Sequence, residues 1–378
     1  MRPVGQATQR NPQPGQILGR DNKFAPPISM PRAKGLWRRR DRGLRLLGLF
    51  SHNFSVDSID SSSVDTYTQN HAKHKLDPMK NPATAPNASY RDILQVLPQL
   101  PAPDLAAATA AMAAATPENR EQRGWLARWQ GRANPQLQHP RLALFAANHG
   151  IGAVWCASIK AKDAIAPILR KEGALIEMAV KADCDLRVYE MSLGAPSRHF
   201  NAAAAMDQAE TVRAISYGMA AVDMGLDMLA LASCGDGQEL AAAVIIAGVT
   251  QQPVMTLATK LEISLHIAAQ IAGAAERAQT MDACTILENF GGPEIAALLG
   301  AMIAARMAHT PVVIADWGGL AALCLLDKLD RRSAQHVALV GPLCKFKLLP
   351  DHQRLAAGDS GGLGIAAAQS LIALRAAM

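Results

Sequence analysis

Aromatic side chains make up only 4% of this 378-residue chain, although apolar residues reach 49%. A core with so few rings must be built from Ala, Leu, Ile, Val and Met, which favours helices packed closely on one another or on a sheet. No apolar run reaches the length and purity of a membrane span. The expectation is therefore a soluble cytoplasmic protein with no membrane partner. Closely spaced cysteines are also missing: Cys156, Cys184, Cys234, Cys284, Cys324 and Cys344 are widely spread and form no C-x-x-C pair. That excludes the usual zinc spacings and a disulfide framework, so neither a metal nor another cofactor is implied, and reduced core thiols are expected. Aromatics interleaved with basic residues, which single-strand binders use for stacking, do not occur. The formal net charge is +6, but much of the excess lies early, at Arg38-Arg39-Arg40, Arg42 and Arg45. The charge thus describes a tail more than a binding face, and no nucleic-acid partner is expected.

Residues 1–78 are rich in Pro, Asn, Gln, Ser and Arg and keep no hydrophobic period, so they read as a disordered basic and polar tail. From residue 79 to 378 the pattern changes. Helical signals over Tyr90–Ala115 and Gly124–Arg132 precede the apolar run Leu142–Ala147, which ends at Asn148-His149-Gly150. Ala161–Ala182 reads as helix, Leu186–Met191 as strand and Asp207–Met224 as helix. Met228–Ala232 reads as strand, ends at Cys234-Gly235-Asp236-Gly237, and is followed by a helix from Glu239. The alternation continues through Pro253–Ala258, a helix after Gly291-Gly292, a strand at Val312, a helix over Leu320–Lys328 and a strand at Val337–Val340. Strands alternating with helices of this length predict a three-layer α/β/α parallel sheet, Rossmann-like, with helices on both faces. A smaller helical portion is expected from the N- and C-terminal segments of the 79–378 unit.

The stretch Asn289-Phe290-Gly291-Gly292-Pro293-Glu294, running into an Ala/Leu-rich helix, has the form of an anion site. Glycines let the backbone approach a ligand, and the helix start offers unpaired N–H groups and a partial positive charge. Pro311–Asp316 reads as a buried strand ending in a carboxylate, and ligands of open α/β sheets gather at such strand ends. Asp316 is placed to bind a sugar hydroxyl or orient a neighbour. His149 reads as a satisfied structural residue more than a substrate contact, and Glu294 as a complement to the helix dipole.

With those residues in view, the chain resembles the nicotinate-nucleotide:dimethylbenzimidazole phosphoribosyltransferase family over roughly residues 90–378. Phe145-Ala146-Ala147-Asn148-His149-Gly150 is similar to the family's F-A-G-D-H-G, and Glu172–Ile176 with Leu186–Val188 to its G-G-A-A-I helix and following strand. Gly291-Gly292-Pro293-Glu294-Ile295-Ala296-Ala297-Leu298 is similar to its G-G-L-E-I-A-A-L, and the strand ending at Asp316 to its strand before D-G-F. The resemblance implies transfer of phosphoribose from nicotinate mononucleotide to 5,6-dimethylbenzimidazole or a similar base, giving α-ribazole 5′-phosphate for the lower ligand of cobalamin. It also implies a homodimer. The family's catalytic glutamate stands in a G-E-G-S-G-A loop. The matching residues here are Gly358-Asp359-Ser360-Gly361-Gly362, which makes Asp359 the general base. The substrate or phosphate cradle implied comprises Gly235, Gly237, Gly291, Gly292, Asp316, Gly358, Ser360 and Gly361.

The chain also departs from the family. Where the family has E-M-G-I-G-N-T-T, this sequence has Ser233-Cys234-Gly235-Asp236-Gly237-Gln238-Glu239-Leu240, and the G-R-G-T-G loop has no clear counterpart between Gly248 and Glu262. A second reading therefore stands beside the enzyme: a catalytically degenerate paralogue that serves as regulator or dimer partner of an active relative. Gly358–Gly362 also spells the serine-protease G-D-S-G-G, but that motif works in a β-barrel beside a buried Asp–His pair, not at a helix start in a parallel α/β chain.

Overall fold

The computed structural model describes residues 89–378, apart from 153–158, 262, 346–348, 350–351 and 356–361. The tail expected over 1–78 lies outside the described residues. Three helices come first: α1 (Tyr90–Leu94), α2 (Leu105–Ala113) and α3 (Arg120–Gln130). Strand β1 (Pro140–Ala146) leads to α4 (Ala161–Leu169), α5 (Ala174–Ala182) and β2 (Asp185–Glu190). Helix α6 (Gln208–Met219) precedes β3 (Met228–Cys234), after which come α7 (Gln238–Thr250), α8 (Val254–Ala258), α9 (Leu265–Gln279), α10 (Ala283–Phe290) and α11 (Pro293–Met307). The chain then forms β4 (Val312–Ile314), α12 (Trp317–Leu329), α13 (Arg331–Ala334), β5 (Val337–Leu339) and finally α14 (Ile365–Ala376).

The five strands form one sheet in the order β2-β1-β3-β4-β5, every pairing parallel. Strands β1 and β3 are buried at every position, as central strands covered on both faces must be. Their side chains alternate between two apolar layers. Ala143, Phe145, Leu229, Leu231, Val312 and Ile314 join the layer containing α6, α7, α9, α10, α11 and α12. Leu142, Leu144, Met228, Ala230, Ala232 and Val313 join the layer of α3, α4, α5 and α14. The three-layer α/β/α arrangement follows directly from that alternation.

The shortage of rings is met by close helix packing. A Cβ on Gly218 of α6 would stand 1.8 Å from the carbonyl oxygen of Ala297, and one on Gly300 of α11 would stand 1.9 Å from that of Ile215. Each glycine thus receives the backbone of the other helix, and α11 is buried at every residue from Glu294 to Arg306. Among the few rings, Phe145 and Phe290 are fully buried in the core, and Trp129 on α3 carries the Arg306 guanidinium 4.0 Å above its ring, at the C-terminal turn of α11.

One local expectation is corrected. Ala161–Ala182 is not one helix, because the chain turns at Lys171 (φ 63°) and Gly173 (φ 94°) and begins again as α5. The Pro253–Ala258 segment is the short helix α8, entered from Pro253, whose fixed φ suits a helix start.

Candidate active site

In an open parallel sheet, ligands bind at the C-terminal ends of strands where successive connections leave toward opposite faces. With the order β2-β1-β3-β4-β5, that point falls between β1 and β3. Their ends are locked together by backbone hydrogen bonds, Ala147 N–H to Cys234 O at 3.0 Å and His149 N–H to Asp236 O at 2.9 Å. The approach is so close that a Cβ on Gly235 would lie 1.6 Å from the Ala147 carbonyl oxygen. Gly237 then starts α7 with φ 82°, a conformation that L side chains rarely adopt. Both glycines are thus needed to turn the chain at the switch point.

A third turn meets these two. His149, buried with Asp236 close by, directs Nε2 at Oε1 of Glu294 over 2.5 Å, and Glu294 is wholly enclosed in the first turn of α11. The imidazole lies over the backbone of Gly292, where a Cβ would come 2.3 Å from its Cε1. Gly292 is therefore present because the ring occupies the space of any side chain. Burial alone would make His149 a weaker base, but the charge and hydrogen bond of Glu294, with Glu239 and Asp236 behind them, outweigh it and hold its pKa above the ordinary value. Glu239, at the second position of α7, is pushed up chiefly by burial, with Asp236 and Glu294 adding to the effect. The same burial and the carboxylates Glu294, Asp316 and Glu239 push the Cys234 thiol up to about 12, which rules it out as a thiolate nucleophile at neutral pH.

Asp316 follows β4 and is turned inward. One oxygen accepts from the Ser233 N–H at 2.6 Å, and the other accepts from the Ser233 hydroxyl at 3.1 Å and from the Gly319 N–H at 2.7 Å, capping α12. Gln238 Nε2 donates to Ser233 Oγ at 2.5 Å. Ser233, Gln238 and Asp316 are thus one polar network across the ends of β3 and β4. Desolvation raises the Asp316 carboxyl from 3.8 to about 6, against the opposing effect of its hydrogen bonds. A raised carboxylate pKa means that the folded state holds its proton more tightly. Its stabilising contribution is complete below about pH 4 and is lost as pH rises through 6. Asp316→Asn is expected to keep the cap and to flatten the change in Tm between those two pH values. Thermal melts of both proteins across that window test this, and parallel curves would contradict it.

The structure thus brings Gly235, Gly237, Gly291, Gly292 and Asp316 to one rim, formed by the turns after β1, β3 and β4 and before α11. Gly358, Asp359, Ser360 and Gly361 lie outside the described residues. The helix that follows them is placed: a Cβ on Gly364, just before α14, would stand 2.8 Å from the Ala232 side chain of β3. Two features were not legible in the sequence, namely the pairing of His149 with Glu294 and the recruitment of Gln238 by Ser233. A third is Asn148, whose Oδ1 accepts from the Ala161 N–H at 2.9 Å and so ties the end of β1 to the start of α4. Among the described residues, no cluster of His, Cys, Asp and Glu is arranged to hold a metal ion.

The chain is similar to known proteins over most of its length. A phosphoribosyltransferase family model matches residues 120–341. The nicotinate-nucleotide–dimethylbenzimidazole phosphoribosyltransferase of Methylocella silvestris is 30% identical over 337 residues, covering 78% of this chain and 94% of the relative. The protein of the same name from Cereibacter sphaeroides is 30% identical over 286 residues, covering 70% and 84%. The crystal structure of the namesake from Thermus thermophilus superposes with a TM-score of 0.59 over 75% of this chain and 94% of that one, at 20% sequence identity, which speaks to the fold.

Proposed function

Since the chain belongs to the nicotinate-nucleotide–dimethylbenzimidazole phosphoribosyltransferase family, we infer that it moves a phosphoribosyl group from nicotinate mononucleotide to 5,6-dimethylbenzimidazole or a similar base, forming α-ribazole 5′-phosphate for cobalamin assembly. A ring nitrogen of the benzimidazole attacks C1 of the ribose. The C1–N bond to nicotinate breaks, its electron pair returns to the pyridine nitrogen, and the attacking base gives up its N–H proton. Because nicotinate leaves from a cationic pyridinium, the protein has two demanding tasks: to hold the partners in line and to accept that proton.

In this reading Asp359 accepts the proton. Gly235, Gly237, Gly291, Gly292, Asp316, Gly358, Ser360 and Gly361 line the substrate cradle, and two copies of the chain act as a homodimer in the cytoplasm. The phosphoribosyltransferase unit occupies 79–378, with 1–78 as an appended tail. The observation that carries the reading is the convergence of three family-like turns, at His149, Gly235–Gly237 and Gly291–Gly292, on the switch point of the sheet. The proposal is tested by incubating the full chain with nicotinate mononucleotide and 5,6-dimethylbenzimidazole. Nicotinate is expected to appear only when both are present. A folded protein that binds neither compound would overturn the reading.

A further inference from the structure

His149 and Glu294 do more than a buried pair needs for stability, and less. Their side chains are 1% and 0% exposed, and Nε2 to Oε1 is 2.5 Å. Yet Nδ1 of His149 and Oε2 of Glu294 are enclosed without a hydrogen-bond partner. A buried polar pair that serves stability alone satisfies its remaining atoms, and one that does not is commonly no better than apolar residues of the same volume. What the pair accomplishes is geometric. The backbone N–H of His149 holds the Asp236 carbonyl at 2.9 Å, and its carbonyl oxygen accepts from the Gly152 N–H at 3.0 Å. The ring covers Gly292, and the ring nitrogen fixes the first turn of α11 through Glu294. One residue therefore joins all three turns that face the switch point, each from a different part of the chain.

We propose that His149 is a positioning residue of the phosphoribosyl-transfer site, acting through Glu294 and the Gly292 turn to hold the starts of α7 and α11 in register with the end of β1. This rests on the function inferred above. It goes beyond that reading by assigning work to a residue that touches no reacting atom. The groups facing the imidazole are Glu294 from α11, Asp236 from the turn after β3 and Glu239 from α7; Cys234 and Asp316 stand behind those carboxylates. With three acidic side chains around one ring, the imidazolium is the form that holds the turns together. Loss of its proton weakens the contact, so transfer falls as pH rises through the titration of His149.

The experiment compares His149→Ala and His149→Gln with the parent protein, because the Gln amide can still donate to Glu294 without carrying charge. Three readouts are taken: amide hydrogen exchange over 235–240 and 292–297, the melting temperature, and kcat and KM for nicotinate release against pH. In His149→Ala, exchange is expected to quicken at both segments together and kcat to fall about a hundredfold, the order expected when reacting groups are misplaced by about 1 Å. His149→Gln, which keeps a donor without the charge, is expected to restore slow exchange and kcat only to the level the parent shows above the titration of His149, with no alkaline limb of its own. Unchanged exchange at either segment overturns the proposal. So does faster exchange with kcat unaltered, which would leave a structural residue only. If the parent releases no nicotinate but exchange responds as described, the transferase reading fails while the latch between the turns stands.

Discussion

Replacing Gly300 by Ala is expected to destabilise the fold by about 3 kcal/mol, the upper end of what overpacking costs. The new methyl group would meet the Ile215 carbonyl oxygen at 1.9 Å, and a backbone atom inside a helix cannot rotate aside as a side-chain tip can. The whole of α6 must move, and α6 lies over the same sheet face as α11. Gly218→Ala repeats the collision from the other side, at 1.8 Å from Ala297 O. Since both changes push apart one crossing, the double variant is expected to lose less than the sum of the two, as neighbouring sites do. Gly194→Ala serves as the control: it is exposed, with nothing within 4 Å of the added carbon, and surface changes of that kind stay within about 0.5 kcal/mol. Chemical denaturation of these variants and the parent decides the matter, and equal midpoints for Gly300→Ala and the parent would refute the close crossing.

Asp359→Ala is expected to reduce kcat for nicotinate release by about a thousandfold, in the middle of the range for loss of a general base. KM for nicotinate mononucleotide is expected to change little, because the residue is assigned to the proton and not to binding. The family's base is a glutamate, so Asp359→Glu restores the missing methylene and is expected to hold or raise the rate. The two variants separate chemistry from stability: a residue that matters only to stability lowers Tm on replacement by alanine without altering kcat of the folded protein. A variant with unchanged kcat and a lower Tm would remove Asp359 from the mechanism.

How far the sequence could be read depended on whether a feature is local. Leu142–Ala147 and Met228–Ala232 were recognisable as strands because buried parallel strands are apolar at every position, and the structure buries β1 and β3 throughout. Their neighbours were not recognisable, since periodicity names an element without naming its partner. The break between α4 and α5 was hidden for a different reason: it begins at Lys171, a residue type with no preference for positive φ. At the rim, the glycines were legible from local turn chemistry. The pairings were not, because His149 and Glu294 are 145 residues apart and Ser233 and Asp316 are 83 apart. Asp316 shows the limit well. A carboxylate at a strand end suggested either a sugar contact or the orienting of a neighbour, and the neighbours its oxygens hold, Ser233 and Gly319, are visible only in the fold.

The placement of the few indole rings has a practical optical consequence. Trp125 and Trp129 are each 4% exposed on the face of the sheet lined by α14. Trp317 is half-buried, directly after Asp316 at the ligand rim. Emission from the first two reports the integrity of the fold, while Trp317 stands beside the proposed cradle. Trp37 and Trp155 emit as well, so the difference between the parent and a Trp317→Phe protein is the signal that would follow occupancy, read separately from the remaining emission that follows unfolding.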